Sequence, residues 1–62
     1  MEEMKLWYAV LLDHEDTDWG TGSHDHDEAV RMVRNLHSVY PDAYIAVINE
    51  DTNVCVKTIL VM

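Results

Sequence analysis

The chain has 62 residues, of which 48% are hydrophobic, and its 12 acidic and 4 basic residues give a formal charge of −8. This length allows one domain, residues 1–62, and the hydrophobic content is sufficient for a packed core rather than a disordered chain. The negative charge disfavours direct binding to nucleic acid or to anionic membranes and favours proteins with basic surfaces as partners.

Cysteine content and the N-terminus indicate the cellular compartment. The single Cys55 has no partner for an internal disulfide, which is typical of a reducing environment. Residues 1–5 lack the basic-then-apolar order of a signal peptide, and no apolar run approaches the roughly 20 residues needed to span a bilayer. We therefore expect a cytoplasmic protein without a membrane segment.

The first predicted element is a strand over residues 5–12, an apolar, aromatic-rich run of eight residues. Residues 13–24 follow with the glycines, small polar residues and acids that are typical of a loop. Two β-branched runs near the end of the chain, residues 43–49 and 54–61, are separated by the polar residues 50–53. This pattern predicts a β-hairpin with a short loop.

A helix is predicted between the loop and the hairpin. Apolar side chains recur there at the three- and four-residue spacing of one helix face, namely Ala29, Val33, Leu36 and Tyr40. Asp25 is the expected N-cap with Glu28 as its capping-box partner, and Ser23 is an alternative cap. Pro41 cannot continue the helix, so we expect it to end near Ser38 or Val39.

These elements predict a small α+β domain of β-α-β-β order, with one helix on one face of a three-stranded sheet. A helix between the first two strands makes them parallel, and the third strand then either extends the sheet or inserts between them. We prefer insertion, which gives the strand order 1-3-2 of a split β-α-β unit, half of a ferredoxin-like fold.

One helix leaves the other face of the sheet uncovered. The first strand is apolar on both faces, and its odd positions form one of them: Trp7, Ala9 and Leu11. Exposed apolar faces of this size usually mark interfaces. We expect another copy of the chain or another partner to cover this second sheet face, defined by those three residues. Of the two, we predict self-association into a homo-oligomer.

Residues 13–28, here called the acidic segment, contain seven acids, three histidines and no Lys or Arg. The functional interpretation is an anionic surface that meets a basic protein patch, with Trp19 as an aromatic anchor and with seven carboxylates: Asp13, Glu15, Asp16, Asp18, Asp25, Asp27 and Glu28. The alternative is a solvated loop followed by the acids that commonly occupy the first turn of a helix.

A metal-binding domain is the second functional hypothesis. Three histidines of the acidic segment are candidate ligands for a divalent ion such as zinc or nickel, assisted by a carboxylate: His14, His24 and His26. No cofactor is otherwise expected. Ser23 and Cys55 lack the context of an activated nucleophile, and we expect a protein that is not an enzyme.

In its small size, acidity and lack of a recognisable catalytic motif, the chain resembles phage-encoded inhibitors of nucleic-acid-processing machines such as CRISPR effectors and restriction enzymes. The resemblance is compositional and assigns no role to any residue. It implies an anti-CRISPR or anti-restriction type of protein that presents carboxylates to a basic nucleic-acid-binding groove. A structural homodimer without an anionic role is a further alternative.

Overall fold

A computed structural model describes residues 5–61; residues 1–4, on which part of the signal-peptide expectation depends, and Met62 lie outside the described residues. The described chain is an α+β domain with one helix and four antiparallel strands. In chain order the elements are β1 (Leu6–Leu11), β2 (Gly22–Ser23), α1 (His26–Leu36), β3 (Tyr44–Asn49) and β4 (Val54–Ile59). Of the helices within residues 5–61, none has the length and apolar character needed to cross a membrane.

The strand order corrects the expected topology. The prediction of three strands in the order 1-3-2 is wrong, because the sheet has the order β2-β1-β3-β4. β1 and β3 are direct antiparallel neighbours, with Leu11 opposite Tyr44, and β4 extends the sheet beyond β3. The cause is β2, a two-residue strand that pairs antiparallel with β1 and reverses the chain before the helix begins. α1 then returns the chain to the end of β1, so that β3 runs antiparallel to it.

Gly22 allows β2 to lie close to β1. A Cβ atom at this position would lie 2.9 Å from the Ala9 Cα and closer still to the Tyr8 carbonyl oxygen, and the φ angle of Gly22 is +156°. Both features disfavour any residue with a side chain. The short strand that sets the topology therefore depends on a glycine.

The start of α1 is confirmed at Asp25, whose backbone is extended and whose carboxylate accepts the N–H groups of Asp27 and Glu28. The reciprocal half of the predicted capping box does not form. The Asp25 N–H donates instead to Ser23 Oγ, at 3.0 Å. The helix ends at Leu36, with His37 as its C-cap, slightly earlier than the expected end near Ser38 or Val39.

The main core lies between α1 and one sheet face. Its members are at most 4% exposed, and they are Val10, Ala29, Val33, Ala43, Ile45 and Val47. Leu6 and Tyr8 pack against it, so the helix covers the even-numbered face of β1. Ala29 and Val33 are confirmed as core-facing helix residues, and Trp7, Ala9 and Leu11 lie on the opposite face.

A second apolar cluster covers that opposite face from within the chain. Its buried members are Ala9, Leu11, Ala46 and Ile48, and the rings of Trp7, Trp19 and Tyr44 pack against them. Ala9 is 0% and Leu11 2% exposed, so neither is accessible to a partner. Within the domain, the β1–β2 loop supplies Trp19 as a cover for this face. Self-association of the protein stays a prediction.

The hairpin predicted at the end of the chain is confirmed, with residues 50–53 joining β3 to β4. Asn49 Oδ1 accepts the Asp51 N–H at 2.9 Å, and Asn53 takes a positive φ of 57°. Pairing of β3 with β4 shifts register at one point, because Val47 lies opposite Lys57 and Ile48 opposite Cys55. The β-bulge leaves Val56 without a residue opposite it.

Candidate acidic partner-binding surface

Three carboxylates between β1 and β2 organise the loop that carries them. Each accepts backbone N–H groups at 2.9–3.0 Å: Asp13 those of Glu15 and Asp16, Asp16 those of Leu12 and Asp18, and Asp18 that of Gly20. Such Asx turns let Asp side chains replace backbone partners in a loop without regular structure. These three acids of the predicted surface therefore have structural roles, which favours part of the alternative interpretation.

Asp16 is the most constrained of these acids. The Leu12 N–H, and secondly the Asp18 N–H, donate to its carboxylate and hold the pKa of Asp16 below its ordinary value of 3.8. Hydrogen bonds to the charged form of a carboxyl stabilise that form. The folded state thus prefers Asp16 ionised more strongly than the unfolded state does.

We expect the stabilising contribution of Asp16 to depend on pH. Because its pKa is lowered on folding, the contribution is complete above 3.8 and is lost as the pH falls through the lower folded-state value. Urea denaturation of the wild type and of Asp16→Asn, from neutral pH down through 3.8, measures this contribution. The difference in unfolding free energy should shrink on acidification, and a difference that stays constant would contradict the assignment.

The other four acids of the segment fall into two pairs, one with contacts in the fold and one without. Asp25 caps the helix, and Asp27 Oδ1 lies 3.1 Å from His26 Nδ1. Glu15 and Glu28 are exposed, and their carboxylates accept no hydrogen bond from residues 5–61. These two side chains can therefore be changed without removing a contact of the fold.

No Lys or Arg in the described part of the chain forms an ion pair with this surface. The ion pairs of the described residues both involve histidine: His24 with Glu50 at 2.6 Å, and His26 with Asp27 at 3.1 Å. Across residues 5–61, no carboxylate pairs with a Lys or an Arg. The acids of the segment are thus not neutralised by direct ion pairs with Lys or Arg, although Arg31 and Arg34 line the same surface cavity as Asp27.

The strand register places the two ends of the acidic segment at different points along β1. Ser23 lies opposite Tyr8, so the helix N-terminus with Asp25, Asp27 and Glu28 starts near the middle of β1. Asp13 instead follows the far end of β1. Between these two ends the loop turns back toward the start of β1, because the Trp19 carbonyl oxygen accepts the Trp7 Nε1–H at 2.7 Å and the Trp7 ring lies 4.8 Å from that of His24.

Trp19 has a role in the fold that the sequence did not indicate. Its ring is half-buried against the second sheet face, and its carbonyl oxygen accepts the Trp7 Nε1–H at 2.7 Å. This hydrogen bond attaches the loop to β1. Only part of the ring is exposed to a partner. The same side chain would therefore serve both as the predicted anchor and as a cover of the sheet.

The predicted metal ligands are placed apart, each on a different aromatic ring. His14 stacks on Tyr44 with ring centroids 5.4 Å apart, His24 meets Trp7 at 4.8 Å, and His26 meets Tyr8 at 5.5 Å. Within residues 5–61, no three His, Cys, Asp or Glu side chains are grouped so as to hold a metal ion. The structure therefore brings His14, His24 and His26 to no common point.

The two candidate nucleophiles make only local contacts with the backbone. Ser23 Oγ accepts the Asp25 N–H, and the Cys55 thiol donates to the Lys57 carbonyl oxygen at 3.4 Å. Neither bond joins a nucleophile to a base.

Comparison of the chain with protein-family models, with curated proteins and with solved structures gives no match.

Proposed function

We propose that this protein is a non-enzymatic binding module whose acidic segment occupies the basic nucleic-acid-binding groove of another protein, in the manner of phage inhibitors of CRISPR effectors or restriction enzymes. The observation that supports the proposal most is that no carboxylate in residues 5–61 is paired with a Lys or an Arg. Unpaired charge on one partner and a basic groove on the other give fast, selective association. We place the module in the cytoplasm, where the exposed thiol of Cys55 stays reduced.

The geometry of the loop supports a contact surface that is formed before binding. The Asx turns of Asp13, Asp16 and Asp18 hold the loop in one conformation before any partner binds. A pre-organised loop loses less conformational entropy on binding, which favours affinity.

Two double variants test the proposal, because they make the same change in net charge at different places on the surface. Glu15→Lys with Glu28→Lys changes two unbonded carboxylates of the acidic segment, and Asp42→Lys with Asp51→Lys makes the same change at two exposed acids outside it. Wild type and both variants serve as baits in a host lysate, and mass spectrometry identifies the bound proteins. We expect nucleic-acid-binding proteins on the wild type and on the Asp42/Asp51 variant, and their loss from the Glu15/Glu28 variant.

Two further measurements decide between groove binding and non-specific attraction. Added DNA or RNA should displace the captured protein, and association should slow steeply with salt, because exposed charges are screened beyond about 8 Å at physiological ionic strength. Equal loss of binding in both variants would assign the effect to net charge alone. If the captured protein stays bound when DNA or RNA is added, and also binds the Glu15/Glu28 variant, the proposal is wrong.

A further inference from the structure

The helix α1 carries two arginines that are not paired with any carboxylate in the described chain. Arg31 and Arg34 are exposed, and the ion pairs found within residues 5–61 involve neither of them. Asp27 lies four residues before Arg31, a spacing at which helix ion pairs form, but its Oδ1 lies beside His26 Nδ1 instead. Both guanidinium groups are therefore free to bind an anion from outside the domain.

A surface cavity of about 410 Å³ contains both arginines, together with His26, Asp27 and Val30. Val30 is half-buried and packs against the main core, so the cavity combines an apolar wall with two fork-shaped donor groups. Guanidinium groups bind carboxylates and phosphates through paired hydrogen bonds. The cavity therefore has the chemistry of a site for one of these two anions.

This cavity adjoins the acidic segment, because Asp27 belongs to both. At 1.5 Å per helical residue, Arg34 lies about 10 Å beyond Asp27 along the axis of α1. A protein groove that receives the acids at the start of the helix therefore also covers Arg31 and Arg34. A guanidinium that is covered without an anion beside it loses its hydration without compensation. The groove must therefore supply an anion at this point.

We propose, on the basis of the function proposed above, that Arg31 and Arg34 bind a carboxylate of the partner protein, within the same basic groove that receives the acidic segment. The module occupies the groove in place of nucleic acid, so phosphate groups are displaced and protein carboxylates are the anions that remain. Such carboxylates occur in these grooves, because enzymes that cut or copy nucleic acid hold Mg²⁺ with them. The partner is attracted by the acids of the module and bound in register by its arginines.

Two double variants with the same net charge test the proposal. Arg31→Gln with Arg34→Gln removes the proposed contact, and Lys5→Gln with Lys57→Gln removes two positive charges from exposed positions elsewhere. Added negative charge alone should speed association with a basic groove. The effect of net charge and the effect of the proposed contact therefore have opposite signs in the arginine variant.

Surface plasmon resonance with the nucleic-acid-binding protein captured by the wild type measures both variants. We expect the lysine variant to bind at least as tightly as the wild type, and the arginine variant to bind about tenfold more weakly through faster dissociation. Arg31→Lys with Arg34→Lys keeps the charge but removes the paired donors, so its dissociation rate should be intermediate. Circular dichroism confirms that all three variants are folded.

The failure of this inference is distinguishable from the failure of the proposed function. If the arginine-to-glutamine variant bound the captured protein as tightly as the lysine control, the carboxylate contact would be wrong while the proposed function stood. If the arginine variant bound more weakly only while nucleic acid remained in the complex, and nuclease treatment removed the difference, the anion would be a phosphate and the inference would again be wrong. A wild type that captures no nucleic-acid-binding protein would overturn both.

Discussion

Replacing Gly22 by alanine is expected to lower the free energy of unfolding by about 3 kcal/mol, at the upper end of ordinary single substitutions. The added Cβ would lie 2.9 Å from the Ala9 Cα and closer still to the Tyr8 carbonyl oxygen, and backbone atoms cannot move aside as a side chain can. Since a domain of this size has roughly 5 kcal/mol of stability, most of it would be lost. Urea denaturation followed by far-ultraviolet circular dichroism measures the change.

Gly20→Ala is the matched control for Gly22. Its new Cβ would meet only the Asp18 side chain, with Oδ1 at 3.0 Å, and that side chain can shift. We expect a loss of less than about 1 kcal/mol. Equal losses in the two variants would mean that flexibility of the loop, rather than the close approach of β2 to β1, is what the glycines supply.

The elements with strong local signals were predictable from the sequence. The apolar run of residues 5–12 forms β1, Leu6–Leu11, and the β-branched runs flanking residues 50–53 form β3 and β4. Asp25 caps the helix because a short acceptor before an apolar periodic run satisfies its free N–H groups. Each of these features depends on neighbours within a few residues, which a sequence pattern contains.

The topology was not predictable in the same way. Two residues, Gly22 and Ser23, show no strand periodicity, yet their pairing with β1 reverses the chain and makes β1 and β3 antiparallel. The cover of the second sheet face by Trp19 is likewise a contact between a loop and a strand far apart in sequence. Hydrophobic pattern identified that face as apolar but contained no information about what covers it.

The candidate site was predictable in composition and less so in the role of each acid. Counting charges identifies the acidic segment, but it does not separate the loop-forming Asp13, Asp16 and Asp18 from the unbonded Glu15 and Glu28. A signal was available, because Asp side chains commonly accept N–H groups two or three residues later. Replacing Asp16 and Asp18 by lysine would therefore change the loop as well as its charge, and such variants do not test binding alone.

Trp19→Ala is expected to destabilise the domain by about 2 kcal/mol, less than the 3–5 kcal/mol typical of a fully buried tryptophan because this ring is half-buried. For a small domain this corresponds to a fall in Tm of roughly 10 °C. Loss of the ring uncovers the cluster of Ala9, Leu11, Ala46 and Ile48, so the variant should also bind more of a dye that reports exposed apolar surface. Thermal denaturation and dye binding measure the two effects.

The two roles of Trp19 are separated by comparing Trp19→Phe with Trp19→Ala. Stability is measured for each variant, together with its dissociation from the partner that the wild type captures. Phenylalanine retains most of the ring contact with the second sheet face, and the hydrogen bond from Trp7 Nε1 goes to the backbone oxygen of residue 19, which every variant keeps. We therefore expect Trp19→Phe to recover most of the stability. If Trp19→Ala were as stable as the wild type yet dissociated faster from its partner, the ring would serve binding alone and its packing on the sheet would be energetically unimportant. If Trp19→Ala were destabilised yet dissociated from the partner at the wild-type rate, at a temperature where it stays folded, the ring would instead be assigned to the fold. Recognition would then be left to the carboxylates of the acidic segment.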